Sequence, residues 1–416
     1  MKKKITTIDL FAGCGGLLDG FESSGKYTTI SAVEWEKSPC ENLAIRLKDK
    51  WKYKNADDMV LRFDIQRTEE LINGWDDKEY GKSNGLDNLV KPYGEVDMII
   101  GGPPCQAYSI AGRVRDEHGM RNDYRNYLFE SYLAVVKHYN PLIFVFENVP
   151  GLLSAKPGNG EINIIDTIKK AFEDTGYHIL DDLSRTIIDF TEYGVPQNRK
   201  RLIIVGLNKE FFKDKDYEKL LEEFYFKYLP KYKEEKMTVR DAIGDLPKLY
   251  PVKEDIKINN TRTSYTLPDP WVENHISRWH STRDKNVFKI LTEDIESGEL
   301  KYSTTQSLKE LYHKVTGKNS NVHKYNVIKW DSQSNVIPAH LYKDGLRHIH
   351  PDSKQIRTIT VREAARLQTF PDDYKFYGSN TNTYKMIGNA VPPKFSKKLA
   401  LALNDFYEDI VRKGDN

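Results

Sequence analysis

The first two hundred residues alternate short apolar runs with stretches of helical periodicity. Apolar, β-branched runs predict strands at residues 3–11, 27–35, 96–102, 141–149 and 200–207. Between the later strands, apolar residues recur at helical spacing over residues 127–139 and 164–176. Strands that are apolar throughout and separated by helices indicate a parallel sheet covered on both faces. The pattern therefore predicts an α/β domain.

The sequence pattern changes near residue 208, where the chain becomes charged and aromatic and the regular alternation of strand and helix signals stops. Within residues 300–350, eight Lys or Arg stand against three Asp or Glu, together with five His. A basic, aromatic-rich segment of irregular structure suits a nucleic-acid surface. A solvated, loop-rich domain is the alternative, and this segment taken alone favours it. The last stretch of the chain returns to an apolar helical pattern. This pattern predicts that the stretch docks on the first domain.

Composition narrows the class of protein. The chain has 416 residues, of which 39% are hydrophobic and 30% charged, and no apolar run approaches the length of a membrane span. The first residues lack the apolar core of a signal peptide, so we expect a cytoplasmic protein. Three widely spaced cysteines favour neither a disulfide framework nor a zinc site. The charges of the basic and acidic residues nearly cancel over the chain. Any contact with a polyanion must therefore come from a local cluster of basic residues.

Glycines and polar residues gather where the predicted strands end. The sequence "DLFAGCGG" at residues 9–16 places glycines at a strand-to-helix turn, where backbone amides can approach a ligand closely. Glu34 ends the next strand, and a carboxylate there can hold two ribose hydroxyls. Trp35 can stack on a purine or be a core aromatic, and Asp64 can accept from an exocyclic amine. Together these residues indicate a pocket for an adenosine-bearing cofactor.

A second group of residues suggests nucleophilic chemistry. In "IIGGPPCQAYS" two prolines fix the direction of the Cys105 thiol, and the polar, glycine-containing stretch after it looks like a mobile lid. Glu147 follows an apolar run; a buried carboxyl there can share a proton with a ring nitrogen, or it can be satisfied by backbone amides. Arg199 and Arg201 alternate to one face and can bind a carbonyl oxygen and a phosphate.

The order of these motifs resembles the DNA (cytosine-5)-methyltransferases from residue 9 to about residue 393. The segments that carry the resemblance are "DLFAGCGG", "EW", "GGPPCQAYS", "ENV", "QNRKR", "TVREAARLQTFPDDY" and "IGNAVPP". The resemblance implies a Rossmann-like methyltransferase domain with a smaller target-recognition domain. The implied division is residues 1–207 for catalysis and cofactor binding, 208–370 for the small domain, 371–383 for a hinge and 384–416 for a segment returning to the catalytic domain.

The resemblance also implies roles for individual residues. Cys105 would add to C6 of cytosine, Glu147 would act at N3, and Arg201, with Arg199 nearby, would face the base carbonyl. The implied cofactor is S-adenosyl-L-methionine, and no metal is expected. The residues implied to hold the cofactor are Phe11, Gly13, Gly16, Glu34, Trp35, Asp64, Ile65, Pro104, Leu128, Asn389 and Val391. The reaction cannot occur inside a base stack, so the cytosine would be flipped out.

The function so implied is site-specific C5 methylation of cytosine in double-stranded DNA by a prokaryotic restriction–modification enzyme. It would protect host DNA from a cognate restriction endonuclease, without a stable protein partner, in the cytoplasm at the nucleoid. An RNA cytosine-5 methyltransferase acting on tRNA is an alternative, which the long region 208–345 disfavours. A catalytically dead DNA-binding protein is disfavoured by the intact Cys105, Glu147 and Arg201, and a nicotinamide dehydrogenase by the glycine spacing.

Two features depart from the family pattern. Phe63 precedes Asp64, where the family usually has a small residue. Residues 66–95 are longer and more polar than a connection between two strands requires. The sequence explains neither departure.

Overall fold

The computed structural model describes residues 4–104, 128–156, 163–213, 215–258, 261–323, 325–343 and 345–412. Their contacts divide the chain into two compact units. The first holds residues 1–194, 199–235 and 390–416, and the second holds residues 195–198 and 236–389. A domain boundary at residue 208 stays a sequence prediction. In the structure, residues 208–235 pack within the first unit, where the Tyr225 hydroxyl accepts from the Val205 amide at 2.9 Å.

The first unit is built on a central sheet. The strands of the described residues in this unit are β1 (Ile5–Leu10), β2 (Tyr27–Glu34), β3 (Val60–Arg62), β4 (Trp75–Asp77), β5 (Gly81–Ser83), β6 (Met98–Gly101), β7 (Ile143–Asn148), β8 (Tyr177–Ile179), β9 (Ile187–Asp189) and β10 (Lys200–Asn208). Those of the central sheet run in the order β3-β2-β1-β6-β7-β10-β8, and β9 also pairs with β10. Strands β4 and β5 form a separate hairpin.

Strand direction differs from the prediction at one place. Strands β1, β2, β3, β6 and β7 are parallel, as predicted, but β10 is antiparallel to β7, β8 and β9. The predicted parallel sheet is confirmed for these five strands and wrong for β10, because an apolar run reads the same in either direction. The α/β, Rossmann-like fold class is confirmed. The reversal brings the first residues of β10 to the edge where β7 ends, and Ile203 pairs with Glu147.

Helices cover the sheet and connect its strands. In the first unit they are Gly16–Ser23, Lys37–Asp49, Ala56–Met59, Thr68–Asn73, Gly85–Val90, Leu128–Tyr139, Ile164–Asp174, Tyr217–Glu223 and Pro393–Arg412. Short 3-10 turns lie at Pro150–Ser154, Leu183–Thr186, Phe190–Tyr193 and Leu229–Tyr232, and a π turn lies at Phe224–Tyr228. The largest apolar core packs the sheet against these helices, with Ile99 and Phe144 of the strands and Val136 and Phe172 of the helices fully buried.

The helix Pro393–Arg412 packs closely on the helix Gly16–Ser23. A Cβ atom at Gly16 would overlap the carbonyl oxygen of Val391, and one at Gly20 would overlap Ser396. Glycine at these positions lets the two helices approach each other. The last helix of the chain is therefore part of the first unit.

The second unit combines a hairpin with short helices. Its elements are β11 (Pro251–Ile258), β12 (Thr261–Tyr265), the helices Val239–Ile243, Thr282–Ser297, Thr305–Thr316, Val361–Leu367 and Asn380–Asn389, and a 3-10 turn at Gly345–Arg347. The irregular structure predicted for residues 300–350 was wrong over Thr305–Thr316. The sequence held a signal for this helix, since Thr304 and Ser307 form a capping box at its start.

A buried ion pair organises the segment "TVREAARLQTF" in the second unit. Both terminal nitrogens of Arg357 lie 2.6 Å from the carboxylate oxygens of Glu363, and both residues are fully buried. Glu363 also caps its own helix by accepting from the Thr360 amide at 2.7 Å. The Nε2 atom of His350 lies 3.4 Å from Glu363. The second unit thus buries a paired arginine and glutamate beside a histidine.

Candidate active site

The turn after β1 has an unusual backbone. Phe11, Gly13 and Gly15 all have positive φ, at 60°, 55° and 81°. Glycine adopts this region without strain, whereas Phe11 does so at a cost in free energy. The turn leads into the helix Gly16–Ser23, and its amides are held in place by bonds to the neighbouring strand, such as Ala12 N to Val33 O at 3.0 Å.

Glu34 ties this turn to the end of β2. Its Oε2 accepts from the Gly13 amide at 2.9 Å, and its Oε1 accepts from the amides of Trp35 at 2.9 Å and Glu36 at 2.8 Å. Burial raises the pKa of Glu34, and these backbone hydrogen bonds oppose the rise. The Trp35 side chain is 49% exposed, so it is not a core aromatic. The glycine turn and the exposed indole of Trp35 thus lie at the ends of the neighbouring strands β1 and β2.

The other residues predicted to hold a cofactor occupy several elements. Asp64 and Ile65 follow β3, and the Asp64 Oδ1 accepts from the Gln66 amide at 3.0 Å. Pro104 follows β6 and is exposed, whereas Leu128 starts a helix and is buried. Val391 lies against Gly16 in the first unit, and Asn389 ends the helix Asn380–Asn389 of the second unit.

Glu147 and Arg201 form an ion pair at the carboxyl end of β7. The Nε of Arg201 lies 3.0 Å from Oε1 of Glu147, with side-chain exposures of 15% and 13%. Burial lowers the pKa of Arg201, and the Glu147 carboxylate opposes that fall. The structure therefore gives Glu147 a charged side-chain partner, where the sequence left backbone amides as the alternative.

Residues after β6 lie beside this pair. A Cβ atom at Gly102 would lie 2.7 Å from Oε2 of Glu147, so only glycine leaves the carboxylate this position. Asn148 Nδ2 donates to the Pro103 carbonyl at 3.2 Å, which fixes the proline turn. Sequence reasoning missed the roles of Gly102 and Asn148, although each lies within a motif that it singled out, "GGPPCQAYS" and "ENV". Cys105 and the predicted lid after it lie outside the described residues.

Arg199 does not contact Glu147 through a hydrogen bond in the structure. It is 2% exposed, and its Nη2 donates to the Ala390 carbonyl at 3.1 Å. Its Nε and Nη1 are buried and have no hydrogen-bond partner among the described residues. Burial lowers the pKa of Arg199, the charge of Arg201 adds to the fall, and Glu147 opposes it. The two arginines of "QNRKR" therefore have different surroundings.

Comparison with known proteins agrees with this arrangement. The profile of the C-5 cytosine-specific DNA methylase family matches residues 5–405. The type II methyltransferase M.Bpa9945I of Bacillus paralicheniformis is 34% identical, and the match covers 96% of this chain and 98% of that protein. M.DdeI of Desulfomicrobium norvegicum is 29% identical, with coverages of 97% and 89%.

A solved structure gives the same fold. A DNA modification methyltransferase encoded within a prophage, from E. coli, superposes with a TM-score of 0.60 at 22% identity and covers 97% of this chain and 100% of that chain. Among the described residues, every helix is too short or too polar to span a lipid bilayer. The resemblance stated from the sequence motifs is confirmed by the family profile and the relatives. The chain belongs to the C-5 cytosine-specific DNA methylase family and is a DNA (cytosine-5)-methyltransferase of the restriction–modification type.

Proposed function

We propose that this enzyme methylates C5 of a flipped-out cytosine in double-stranded DNA, using S-adenosyl-L-methionine and a transient bond between Cys105 and C6. The observation that carries the proposal is the Glu147–Arg201 pair beside Gly102, three residues before Cys105. In the chain, the proposed nucleophile Cys105 thus comes shortly after β6, and Glu147, the group that would hold a proton on the base, lies at the end of the neighbouring strand β7. C5 of cytosine is a poor nucleophile, so both groups are needed.

The residues around the glycine turn fit S-adenosyl-L-methionine. A Cβ atom at Gly13 would meet nothing within 4 Å, so there is open space over the turn, and the exposed Trp35 indole offers a stacking surface. Glu34 presents a carboxylate at the end of β2, and Asp64 does so at the end of β3. When bound, the cofactor supplies an electrophilic methyl group on a sulfonium sulfur. Phe11, Gly16, Ile65, Pro104, Leu128, Asn389 and Val391 complete the proposed binding set.

The chain's own groups would carry the electron and proton movements. Attack by the Cys105 thiolate on C6 moves an electron pair toward C5, while Glu147 holds a proton at N3. Arg201 keeps Glu147 in place and faces the base carbonyl, and Arg199 lies buried in the same motif with its Nη2 on the Ala390 carbonyl. After C5 has gained its methyl group, the C5 proton leaves to a base, and the Cys105–C6 bond breaks. This sequence restores both the thiolate and the aromatic base.

DNA recognition and biological role complete the proposal. Residues 208–345, which include exposed lysines and aromatic side chains, would read the target site, because sequence is read by side chains that reach base edges. The exposed Trp271 and Trp279 lie in this region. The enzyme would act on the host chromosome in the cytoplasm and protect it from a cognate restriction endonuclease.

Bisulfite sequencing of DNA from cells that express the protein tests the proposal. The expected result is conversion-resistant cytosine at one recurring sequence, present with the parent protein and absent with Cys105→Ser. Transfer RNA from the same cells is sequenced in parallel as the competing substrate. Unmodified DNA alongside newly modified tRNA, or equal DNA modification by Cys105→Ser, would overturn the proposal.

A further inference from the structure

Residues 66–95, which the family pattern does not explain, form an ordered module after β3. The helix Thr68–Asn73 leads into the hairpin of β4 and β5, and the helix Gly85–Val90 follows. A Cβ atom at Gly74 would lie 2.7 Å from the carbonyl oxygen of Ser83, so the two ends of the hairpin approach each other closely. The module is therefore a built element rather than a loose connection.

Phe63, the other departure from the family pattern, is the anchor of this module. Its ring stacks on Trp75 with centroids 4.0 Å apart and an interplanar angle of 24°. The Tyr80 ring meets it edge-on at 5.1 Å. Phe63 is 1% exposed and Trp75 is 7% exposed. The two departures are thus one feature, since the hairpin supplies the apolar surroundings that a large residue before Asp64 requires.

Arg67 holds the other side of the Asp64 segment. Its guanidinium lies 4.7 Å from the centroid of the Phe63 ring, and its Nη1 lies 2.6 Å from Oδ2 of Asp77 in the hairpin. Its Nε donates to Glu70 at 2.8 Å. The Arg67 amide donates to the Asp64 carbonyl at 3.0 Å. Arg67 thereby joins the hairpin to the backbone of Asp64.

Tyr80 lies at the tip of the same hairpin. Asp77 Oδ1 accepts from the Tyr80 amide at 2.7 Å, and the Arg62 guanidinium lies 5.2 Å from the Tyr80 ring centroid. Burial raises the pKa of Tyr80, and the negative charges of Glu79 and Asp64 add to the rise. Tyr80 thus packs against Phe63 on one side and Arg62 on the other.

We propose that the hairpin Trp75–Ser83 is a positioning element that acts through Phe63 and Arg67 to aim the Asp64 carboxylate at the exocyclic amine of the cofactor's adenine. This inference rests on the proposed cofactor site. Phe63 fixes the backbone before Asp64, and Arg67 fixes it after Ile65. The hairpin thus determines how well the enzyme distinguishes an amine from a carbonyl oxygen on the purine.

The test compares binding of S-adenosylhomocysteine and S-inosylhomocysteine, which differ at that exocyclic group, by calorimetry. We expect the parent to prefer the adenosyl ligand by about tenfold or more, because a carboxylate accepts from an amine but repels a carbonyl oxygen. Arg67→Leu should reduce this preference at least about threefold, mainly by lowering the affinity for the adenosyl ligand. Lys82→Ala removes only the exposed ion pair between Lys82 and Asp76 of the same hairpin, so this variant should keep the full preference.

The possible outcomes separate the two proposals. A parent protein that binds neither ligand contradicts the proposed cofactor site. A parent that shows the preference while Arg67→Leu retains it in full contradicts the role of the hairpin and leaves the cofactor site standing. Equal weakening of both ligands by Arg67→Leu makes the hairpin a general structural support, which also overturns positioning. If Arg67→Leu does not fold by circular dichroism, Asp77→Asn, which removes the charge opposite Arg67, decides by the same ratio.

Discussion

The guanidinium of Arg201, near the start of the antiparallel strand β10, lies 3.0 Å from the carboxylate of Glu147 at the end of β7. Both side chains are mostly buried, so each charge depends on the other for compensation. The pair also fixes the direction of the Glu147 carboxylate beside Gly102. A base entering this site would meet a carboxyl group already oriented, which reduces the reorganisation needed during the reaction.

Glu147→Gln is predicted to lower methyl transfer by about 100-fold or more, because an amide cannot share a proton with N3 in the same way. It should also lower the free energy of unfolding by about 1–3 kcal/mol, since Arg201 loses its charged partner. Radiolabelled methyl transfer and urea unfolding measure the two effects. Glu173→Gln, on an exposed helix position of the same unit, is the matched control and should change neither. Full activity in Glu147→Gln would remove Glu147 from the mechanism.

Trp35→Ala is predicted to weaken S-adenosylmethionine binding by about 1–3 kcal/mol, because the stacking surface and its apolar area are removed. Glu34→Ala should weaken it too, because the Gly13 amide loses its acceptor. Calorimetry measures both changes. Trp271→Ala, which removes an equally exposed indole from the second unit, should leave cofactor affinity unchanged. Unaltered affinity in the Trp35 and Glu34 variants would show that the pocket lies elsewhere.

Cys105→Ser is predicted to abolish methyl transfer while cofactor and DNA still bind, because a hydroxyl is a far weaker nucleophile than a thiolate near neutral pH. DNA carrying 5-fluorocytosine at the target should trap the parent enzyme, since fluorine cannot leave C5 as a proton. The adduct should resist denaturation, require S-adenosylmethionine and map to Cys105 by peptide mass spectrometry. A link to Cys14 or Cys40 instead would contradict this mechanism.

Acid is predicted to destabilise the second unit. Burial lowers the pKa of His280 to about 3 and that of His350 to about 3, with the positive charge of Arg357 adding to both shifts. Groups with a lowered pKa in the folded state stabilise it fully above their unfolded pKa, near 6.5 for histidine, and this contribution is lost as the pH falls toward 3. The Arg357 charge lowers the pKa of Glu363, which acts in the same direction at lower pH.

Urea unfolding between pH 8 and pH 4 measures this effect through the fluorescence of Trp330, whose ring centroid lies 5.3 Å from that of His350. Stability should fall steadily below about pH 6.5. His350→Gln should flatten the dependence, because glutamine does not titrate. A stability that is constant across this range, or that rises on acidification, would contradict the buried neutral state of these histidines.

Lys314→Gln combined with Lys318→Gln is predicted to lower DNA affinity and to reduce the slope of log affinity against log salt by about one for each phosphate that is no longer neutralised. Both lysines are exposed at the end of the helix Thr305–Thr316, whereas Lys301 pairs with Glu299 and Lys324 lies outside the described residues. Fluorescence anisotropy at several salt concentrations measures the slope. Lys170→Gln in the first unit is the control, and unchanged DNA binding in the double variant would move recognition elsewhere.

Local chemistry in the sequence was enough to place most of the site at strand ends. The glycine turn at residues 9–16 and Glu34 each follow a predicted strand, and the structure puts both strands in the central sheet. Strand β3, which precedes Asp64, was not predicted from the sequence. The carboxyl ends of parallel strands share one edge, so the prediction of neighbouring functional groups needed no knowledge of individual contacts. The family resemblance added the roles of these residues, which stay predictions for the individual side chains.

Other features depended on contacts between residues far apart in the chain. Arg199 and Arg201 are equivalent in the sequence pattern, yet Arg201 pairs with Glu147 while Arg199 donates to Ala390. The stacking of Phe63 on Trp75 likewise follows from the fold of an insertion that has no strong periodicity.

The sequence by itself thus determined the type of the five strands and two helices predicted in the first two hundred residues and the residue types at the strand ends, because both depend on neighbouring residues and on a repeat of two or 3.6. Only the tertiary structure decided the direction of β10, the choice of Arg201 as the partner of Glu147, and the attachment of the hairpin to Phe63. These depend on which distant surfaces bury each other most favourably. That balance of packing, hydrogen bonding and desolvation is set by the whole fold and is not encoded at any one position.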